Sequence, residues 1–274
     1  MAVTMEQISK LRKMSGAGMM DCKNALAETD GDFDKAMEII RKKGQAVAAK
    51  RSDREASEGC VLATAKDGFA AIVAVKCETD FVAKNGDFVG MTQAILDAAM
   101  VAAPASVEAL SEIEVSGRAV KDLITDRIGV TGEKMELGFY EFVNGASTIS
   151  YIHPGNKLAT VVAFNQAGVD NQVAKDVAMQ VAAMSPVAVS KDGVAQSIID
   201  KELQIAREKA QEAGKPEHMI DRIAEGGLNK FFKENTLLSQ AFIKDSKITV
   251  EEYLKKQDKD LTVVDFKRIT LNQE

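Results

Sequence analysis

The sequence predicts an α+β protein: a small helical module, then a core of two repeated α+β units with antiparallel sheets, from which a helical hairpin projects. Three observations predict it. Apolar residues near the N-terminus recur at helical spacing. A pattern of β-hairpin followed by helix occurs twice in the middle of the chain. A long, highly charged stretch after the second copy has helical periodicity broken once by a tight turn.

Taken in order, Ile8 and Leu11 fall at i, i+3, and Ser15-Gly16-Ala17-Gly18 stops that helix. Met19, Met20, Ala25 and Leu26 begin a second helix, and the Thr29–Asp32 turn offers Asp30 or Asp32 as the next N-cap. Phe33, Ala36, Met37 and Ile40 form the i, i+3, i+4, i+7 stripe of a third. The third helix is expected to end at Arg41-Lys42-Lys43-Gly44, with basic residues at the negative end of the dipole and then a terminal glycine. Residues 45–58 read as a linker, with a helical linker an open alternative, and the first segment is delimited at 1–54.

Copy one falls in a segment at 55–143. It has a strand at 60–65, a Lys66-Asp67-Gly68 turn, a strand at 70–77 and a helix at 88–104. Copy two, in a segment at 144–260, has a strand at 147–153, a Pro154–Lys157 turn, a strand at 158–164 and a helix at 170–186. Both helices run into a proline, Pro104 and Pro186. Between the copies, 107–128 reads as helix and 133–143 as strand. After copy two, helices at 195–213 and 217–233 meet at Gly214-Lys215-Pro216, an antiparallel hairpin over about 195–233. Thr249 opens a further helix with glutamates in its first turn. A strand at 261–271 closes the chain as a final segment, 261–274.

Composition narrows function. The chain has 274 residues and a net charge of −6, which disfavours direct nucleic-acid binding. Its one basic cluster, Arg41, Lys42, Lys43, Lys50, Arg51 and Arg54, reads as a helix end and a solvated linker. Three cysteines without a CxxC pair and two distant histidines argue against a disulfide scaffold or a metal site. No apolar run is long enough to span a membrane, and the N-terminus is no signal peptide, so a cytoplasmic protein is expected. A phosphate-binding GxxxxGK[ST] loop, a complete dinucleotide fingerprint and a GxSxG elbow are all missing. A non-enzymatic binding protein without cofactor or metal of its own is the expectation.

The binding candidate comes from the difference between the copies. Eleven positions separate Cys77 from Phe88 and six separate Phe164 from Asp170, so copy one carries about five extra residues within 78–87. Inserted loops on a rigid scaffold are where binding residues concentrate. In Thr79-Asp80-Phe81-Val82, one reading is a helix cap at Thr79 or Asp80 with Phe81 and Val82 packed inward. The other displays Phe81 for a partner's pocket. Met19 and Met20 pose a similar choice: adjacent helical positions diverge, so one packs inside and the other is either merely exposed or an adaptable apolar contact. His153, before Pro154-Gly155, reads as a turn-stabilising residue.

At these residues the chain resembles the bacterial elongation factor Ts family, exchange factors for the GTPase elongation factor Tu. The runs LRKMSGAGMMDCKNAL (11–26) and CETDFVAKN (77–85) carry the resemblance. Weaker echoes lie at 151–157, 214–235 and 237–242. The likeness implies a ubiquitin-associated-like three-helix domain at the N-terminus. It also implies a wedge at Asp80-Phe81, flanked by Thr79 and Val82, that disturbs the Mg²⁺ and phosphate site of the partner. Arg12, Met19 and Met20 match positions touching the nucleotide-binding domain, and His153 a core position near the partner. A homodimer, a heterotetramer with the GTPase, and an adaptor built on the N-terminal module all stay open. Ala74, Asn156 to Ala159, Gly227 and Ala241 depart from the family pattern, where Glu, a Gly-Arg-Ile-Gly type of run, Arg and Pro are usual.

Overall fold

The computed structural model describes residues 3–272; residues 1–2 and 273–274, the ends of the first and last segments delimited above, lie outside it. Three helices come first, α1 (Met5–Ser15), α2 (Met19–Glu28) and α3 (Phe33–Lys50). The first core unit follows: β1 (Glu58–Lys66), β2 (Phe69–Cys77), α4 (Asp80–Ala83), α5 (Gly86–Ala102), α6 (Val107–Glu112), β3 (Glu114–Val115), β4 (Arg118–Ala119), α7 (Val120–Thr131) and β5 (Met135–Asn144). The second begins with β6 (Ser147–Ile152), β7 (Leu158–Phe164) and α8 (Asn171–Met184). It continues with α9 (Gln196–Glu212), α10 (Glu217–Asn235), β8 (Ala241–Phe242), β9 (Asp245–Thr249), α11 (Val250–Lys255) and β10 (Val263–Thr270). The class is α+β, as expected.

The repeat is plain in three dimensions. In each copy a hairpin feeds a helix, and a later strand joins the hairpin's second strand antiparallel, β5 along β2 and β10 along β7. The closing strand, set apart above at 261–274, is therefore the third strand of the second sheet. The helices also end alike. Ala103 (φ 43°, ψ 55°) and Ser185 (φ 44°, ψ 51°) both take the left-handed conformation that residues with a Cβ avoid, each just before its proline.

The two sheets pack face to face through Val61, Ala63, Ala70, Ile72 and Ala74 of one and Ala159, Val161, Ala163 and Ile269 of the other. On their outer faces, Phe88, Ile95, Leu96 and Ala99 of α5 cover the first sheet, and Val177, Ala178 and Val181 of α8 the second. This four-layer order explains why β2 and β7 are buried almost continuously instead of alternating: the middle strands meet protein on both sides. Ala74 lies in the sheet-to-sheet layer, where the glutamate suggested by the family resemblance would be an unpaired buried charge.

Two local expectations are overturned. The helix expected over 107–128 is broken, because Ser116 and Gly117 take φ of 54° and 77° and turn the short β3–β4 ribbon between α6 and α7. The third helix does not end at Gly44. It runs on to Lys50, and Gly44 is buried within it against Gly129 of α7. A Cβ on Gly129 would stand 2.7 Å from Gly44 Cα. The glycine that looked like a terminator is the small residue of a close helix contact. That contact lets the end of α3 carry Val47 and Ala48 onto the core of the first unit.

The hairpin helices α9 and α10 pack on each other and share no residue with the four apolar core clusters of the described residues. Gly227 supports their approach: a Cβ there would lie 3.2 Å from Ala206 Cβ.

Gly129→Ala should destabilise the protein by about 1–3 kcal/mol through overpacking against backbone. Gly44→Ala, whose Cβ would meet Thr125 O at 3.3 Å, should lose less. Urea unfolding of the two variants checks the order.

Candidate functional site

The insertion in copy one folds as α4, a single turn between β2 and α5. Nearly every residue around it is tied down. The Cys77 thiol donates to the Thr79 carbonyl at 3.3 Å. Burial pushes this thiol up to about 12 and that of Cys60 to about 11, so both stay protonated at neutral pH. Glu78 accepts the Lys134 N–H at 2.7 Å and faces Arg51 and Arg54 at 3.6 and 3.4 Å. Arg51, at the end of α3, and Arg54, 59% exposed in the linker, therefore also tie that linker to the foot of the tip.

Thr79 is the N-cap of α4, its hydroxyl accepting from the Val82 N–H at 3.4 Å. The Thr79 hydroxyl and N–H in turn donate to the two oxygens of Glu133, at 2.6 and 3.0 Å. Asp80 pairs with Lys84 one turn on, at 2.7 Å. The hydrogen bond from Lys84 holds the Asp80 carboxyl below its ordinary range, with Lys157 adding to the effect. Ala83 is buried and Val82 packs partly into the core of the first unit. Asn85 caps α5 at the Asp87 N–H and accepts from Arg127 at 3.1 Å, and Arg127 also pairs with Asp87 at 3.2 Å.

Phe81 is the exception, 84% exposed. The two readings of the tip therefore coexist: Thr79 caps and Val82 packs inward, while Phe81 points into solvent. A large aromatic held outward on a pinned turn suits insertion into an apolar pocket.

Arg12 is exposed on α1. Met19 and Met20 open α2 at 43% and 64% exposure, so the expectation that one packs inside is overturned. The module's core is already filled from α2 by Cys22, Ala25 and Leu26 on the opposite face. Gly16, in the loop leading to these methionines, abuts Arg127: a Cβ at Gly16 would lie 4.0 Å from its Nη1. Arg127 thus lies between the module and the foot of the tip.

His153 is exposed at the end of β6. Its backbone closes the turn, the N–H donating to Leu158 O at 2.8 Å and the carbonyl accepting from Asn156 at 3.1 Å. Its ring Nδ1 lies 3.0 Å from the Tyr151 hydroxyl, beside a groove of about 400 Å³ lined by Leu158, Met179 and Ile243. The same turn reaches the first unit: Asn156 O accepts from the Val61 N–H at 2.7 Å, and Lys157 pairs with Glu58 at 2.7 Å. The family departure at Asn156-Lys157 therefore has contacts of its own.

Sequence reasoning missed Glu133, Arg127 and the role of Glu78. Glu133 lies 54 positions from Thr79 and Arg127 lies 42 from Asn85, and no local pattern links them. Among the described residues, no group of three or more His, Cys, Asp or Glu could hold a metal ion, and no helix is long and apolar enough to cross a membrane.

The family model described as "Elongation factor TS" matches residues 78–273. The Elongation factor Ts of Porphyromonas gingivalis is 69% identical over 275 residues, that of Azobacteroides pseudotrichonymphae 57% over 274, and that of Bacteroides fragilis 48% over 331. In each case the match covers 100% of both chains.

Phe81→Ala should change unfolding free energy by no more than about 0.5 kcal/mol, because the ring packs on so little; chemical denaturation checks it. Asp80 has a folded pKa depressed below the ordinary 3.8. Its pairing with Lys84 is therefore fully present above 3.8 and lost as pH falls through the lower folded value. The carboxyl-carbon NMR titration of Asp80 should have its midpoint below 3.8, and Lys84→Met should raise it.

Proposed function

Since the chain belongs to the elongation factor Ts family, we propose that it is a guanine-nucleotide exchange factor for elongation factor Tu, acting in the cytoplasm and not an enzyme. The observation that carries this reading is Phe81, 84% exposed on a turn that only one of the two repeats possesses.

Exchange needs no catalytic acid or base. The factor has to bind the nucleotide-free GTPase more tightly than the GDP-bound form, and the coupling is reciprocal: whatever weakens GDP is weakened by GDP in the same ratio. In this reading the Asp80-Phe81 tip enters between helices of the GTPase beside its nucleotide site. There it displaces the elements that hold Mg²⁺ and phosphate. Mg²⁺ demands near-octahedral coordination, so a small displacement weakens it and GDP leaves. The Mg²⁺ and GDP belong to the partner, and the factor needs no cofactor. Thr79 and Val82 hold the tip, Asp80 is its polar member and Phe81 its apolar one.

Arg12, Met19 and Met20 supply a second contact on the nucleotide-binding domain, and His153 with its groove a third on the core. The attachment of α3 to α7 supports one continuous surface over a free-standing N-terminal adaptor. Neither nucleic acid nor membrane takes part.

Phe81→Ala and Asp80→Ala should slow release of a fluorescent GDP from elongation factor Tu in stopped flow, Phe81→Ala by about tenfold or more, the loss of roughly 1.4 kcal/mol or more. Wild-type rates in both variants would sink the reading. Binding by a 1–55 fragment as tight as that of the full chain would favour the adaptor instead.

A further inference from the structure

We propose that Glu133 is a positioning residue for the tip: it fixes the direction in which Phe81 projects without itself meeting the partner. This rests on the reading of Phe81 as the inserted group.

A helix of one turn cannot hold its own shape in water, since nucleation is unfavourable and few hydrogen bonds reward it. α4 has four residues, of which only Ala83 is fully buried. Its direction is therefore set from outside, and both grips come from the C-terminal end of α7. At the far end of the tip, Arg127 holds Asn85 and Asp87. At the near end, Glu133 accepts both donors of Thr79, the hydroxyl at 2.6 Å on Oε1 and the N–H at 3.0 Å on Oε2. An ionised carboxylate has acceptors only, so it matches two donors without a mismatch, and charge-assisted bonds of this kind are among the strong ones. Glu133 is itself placed: Gly132 takes φ 75° to end α7, and the Glu133 N–H donates to Thr131 Oγ1 at 3.2 Å. α7 in turn is seated against α3 at the Gly129–Gly44 contact. The Thr79 cap hydrogen bond to Val82, 3.4 Å long, is the weaker restraint.

Losing Glu133 frees the N-terminal end of α4 to swing about Asn85. The rest of the docking surface is untouched, so the penalty falls on release at saturation and not on complex formation. Glutamine keeps an acceptor for the Thr79 N–H, and its amide can donate to the Thr79 hydroxyl oxygen, so Glu133→Gln should rescue.

The test is GDP release from elongation factor Tu over a range of factor concentrations, for Glu133→Ala, Glu133→Gln, Phe81→Ala and the double variant Glu133→Ala/Phe81→Ala. Glu133→Ala should lower the saturating rate about tenfold while the half-saturating concentration moves less than about threefold. Glu133→Gln should stay within about threefold of wild type, and the double variant should be no slower than Phe81→Ala alone, since a residue acting through Phe81 has nothing to add once the ring is gone. The ¹⁹F resonance of 4-fluorophenylalanine at position 81 should shift or broaden in Glu133→Ala and return in Glu133→Gln. Should Glu133→Ala fail to fold, Thr79→Val removes the 2.6 Å bond to Glu133 together with the weaker 3.4 Å cap bond to Val82, keeps the N–H bond to Glu133, and enters the same cycle. Additive losses in the double variant, or wild-type rates in Glu133→Ala beside a slow Phe81→Ala, overturn the proposal and leave the tip reading standing. A wild-type rate in Phe81→Ala also overturns the proposal, since the group through which Glu133 acts is then not the working one; the tip reading itself falls only if Asp80→Ala is at the wild-type rate too.

Discussion

The layer of small side chains between the two sheets is the constraint on which the other contacts depend. Ala63, Ala70, Ala74, Ala159 and Ala163 present little more than a methyl group to the opposing sheet, and the middle strands are sealed by α5 and α8 on their far sides. This packing fixes how one copy sits on the other. It brings the β6–β7 turn to the beginning of β1, where Asn156 meets Val61 and Lys157 meets Glu58. The surroundings of Asp80 are thus built from both copies, although the tip itself belongs to one.

α7 links the remaining parts. Its Gly129 receives α3 and with it the N-terminal module, while Arg127 and Glu133 hold the two ends of the tip. Glu78 adds a strap from the arginines that follow α3. Met19, Met20 and Phe81, which lie on separate parts of the chain, are carried on elements that share these contacts. Packed helices and charged hydrogen bonds join these elements.

What could be read in the sequence follows the range of the physics involved. Hairpins, helices and the repeat are legible because periodicity and turn residues act over a few positions, as at Lys66-Asp67-Gly68 and in the Thr249 capping box. The insertion is legible as a difference in spacing, and the choice of Phe81 as the displayed residue came with the family motif. Gly44 misled because a glycine after basic residues has the same local signature whether it ends a helix or lets another helix approach; only Gly129, far along the chain, decides between them. The place of the closing strand was illegible for the same reason, since pairing of β10 with β7 has no local trace. The Glu133 clamp stayed invisible for that reason too. The exposure of both methionines could not be read from spacing, because it depends on how few side chains the module's core has room for.

The paired helix ends at Ala103 and Ser185 bear on how such a molecule came about. Neither residue is glycine, and each sits in a backbone region costing roughly 1–2 kcal/mol for a side chain. Two unrelated segments would rarely settle on the same uncomfortable pair of angles before a proline. A unit copied within one ancestral gene would inherit both together. The two ends now carry different residues on the same path of the chain; one copy holds α4 and reaches outward with it, and the other bears the long hairpin.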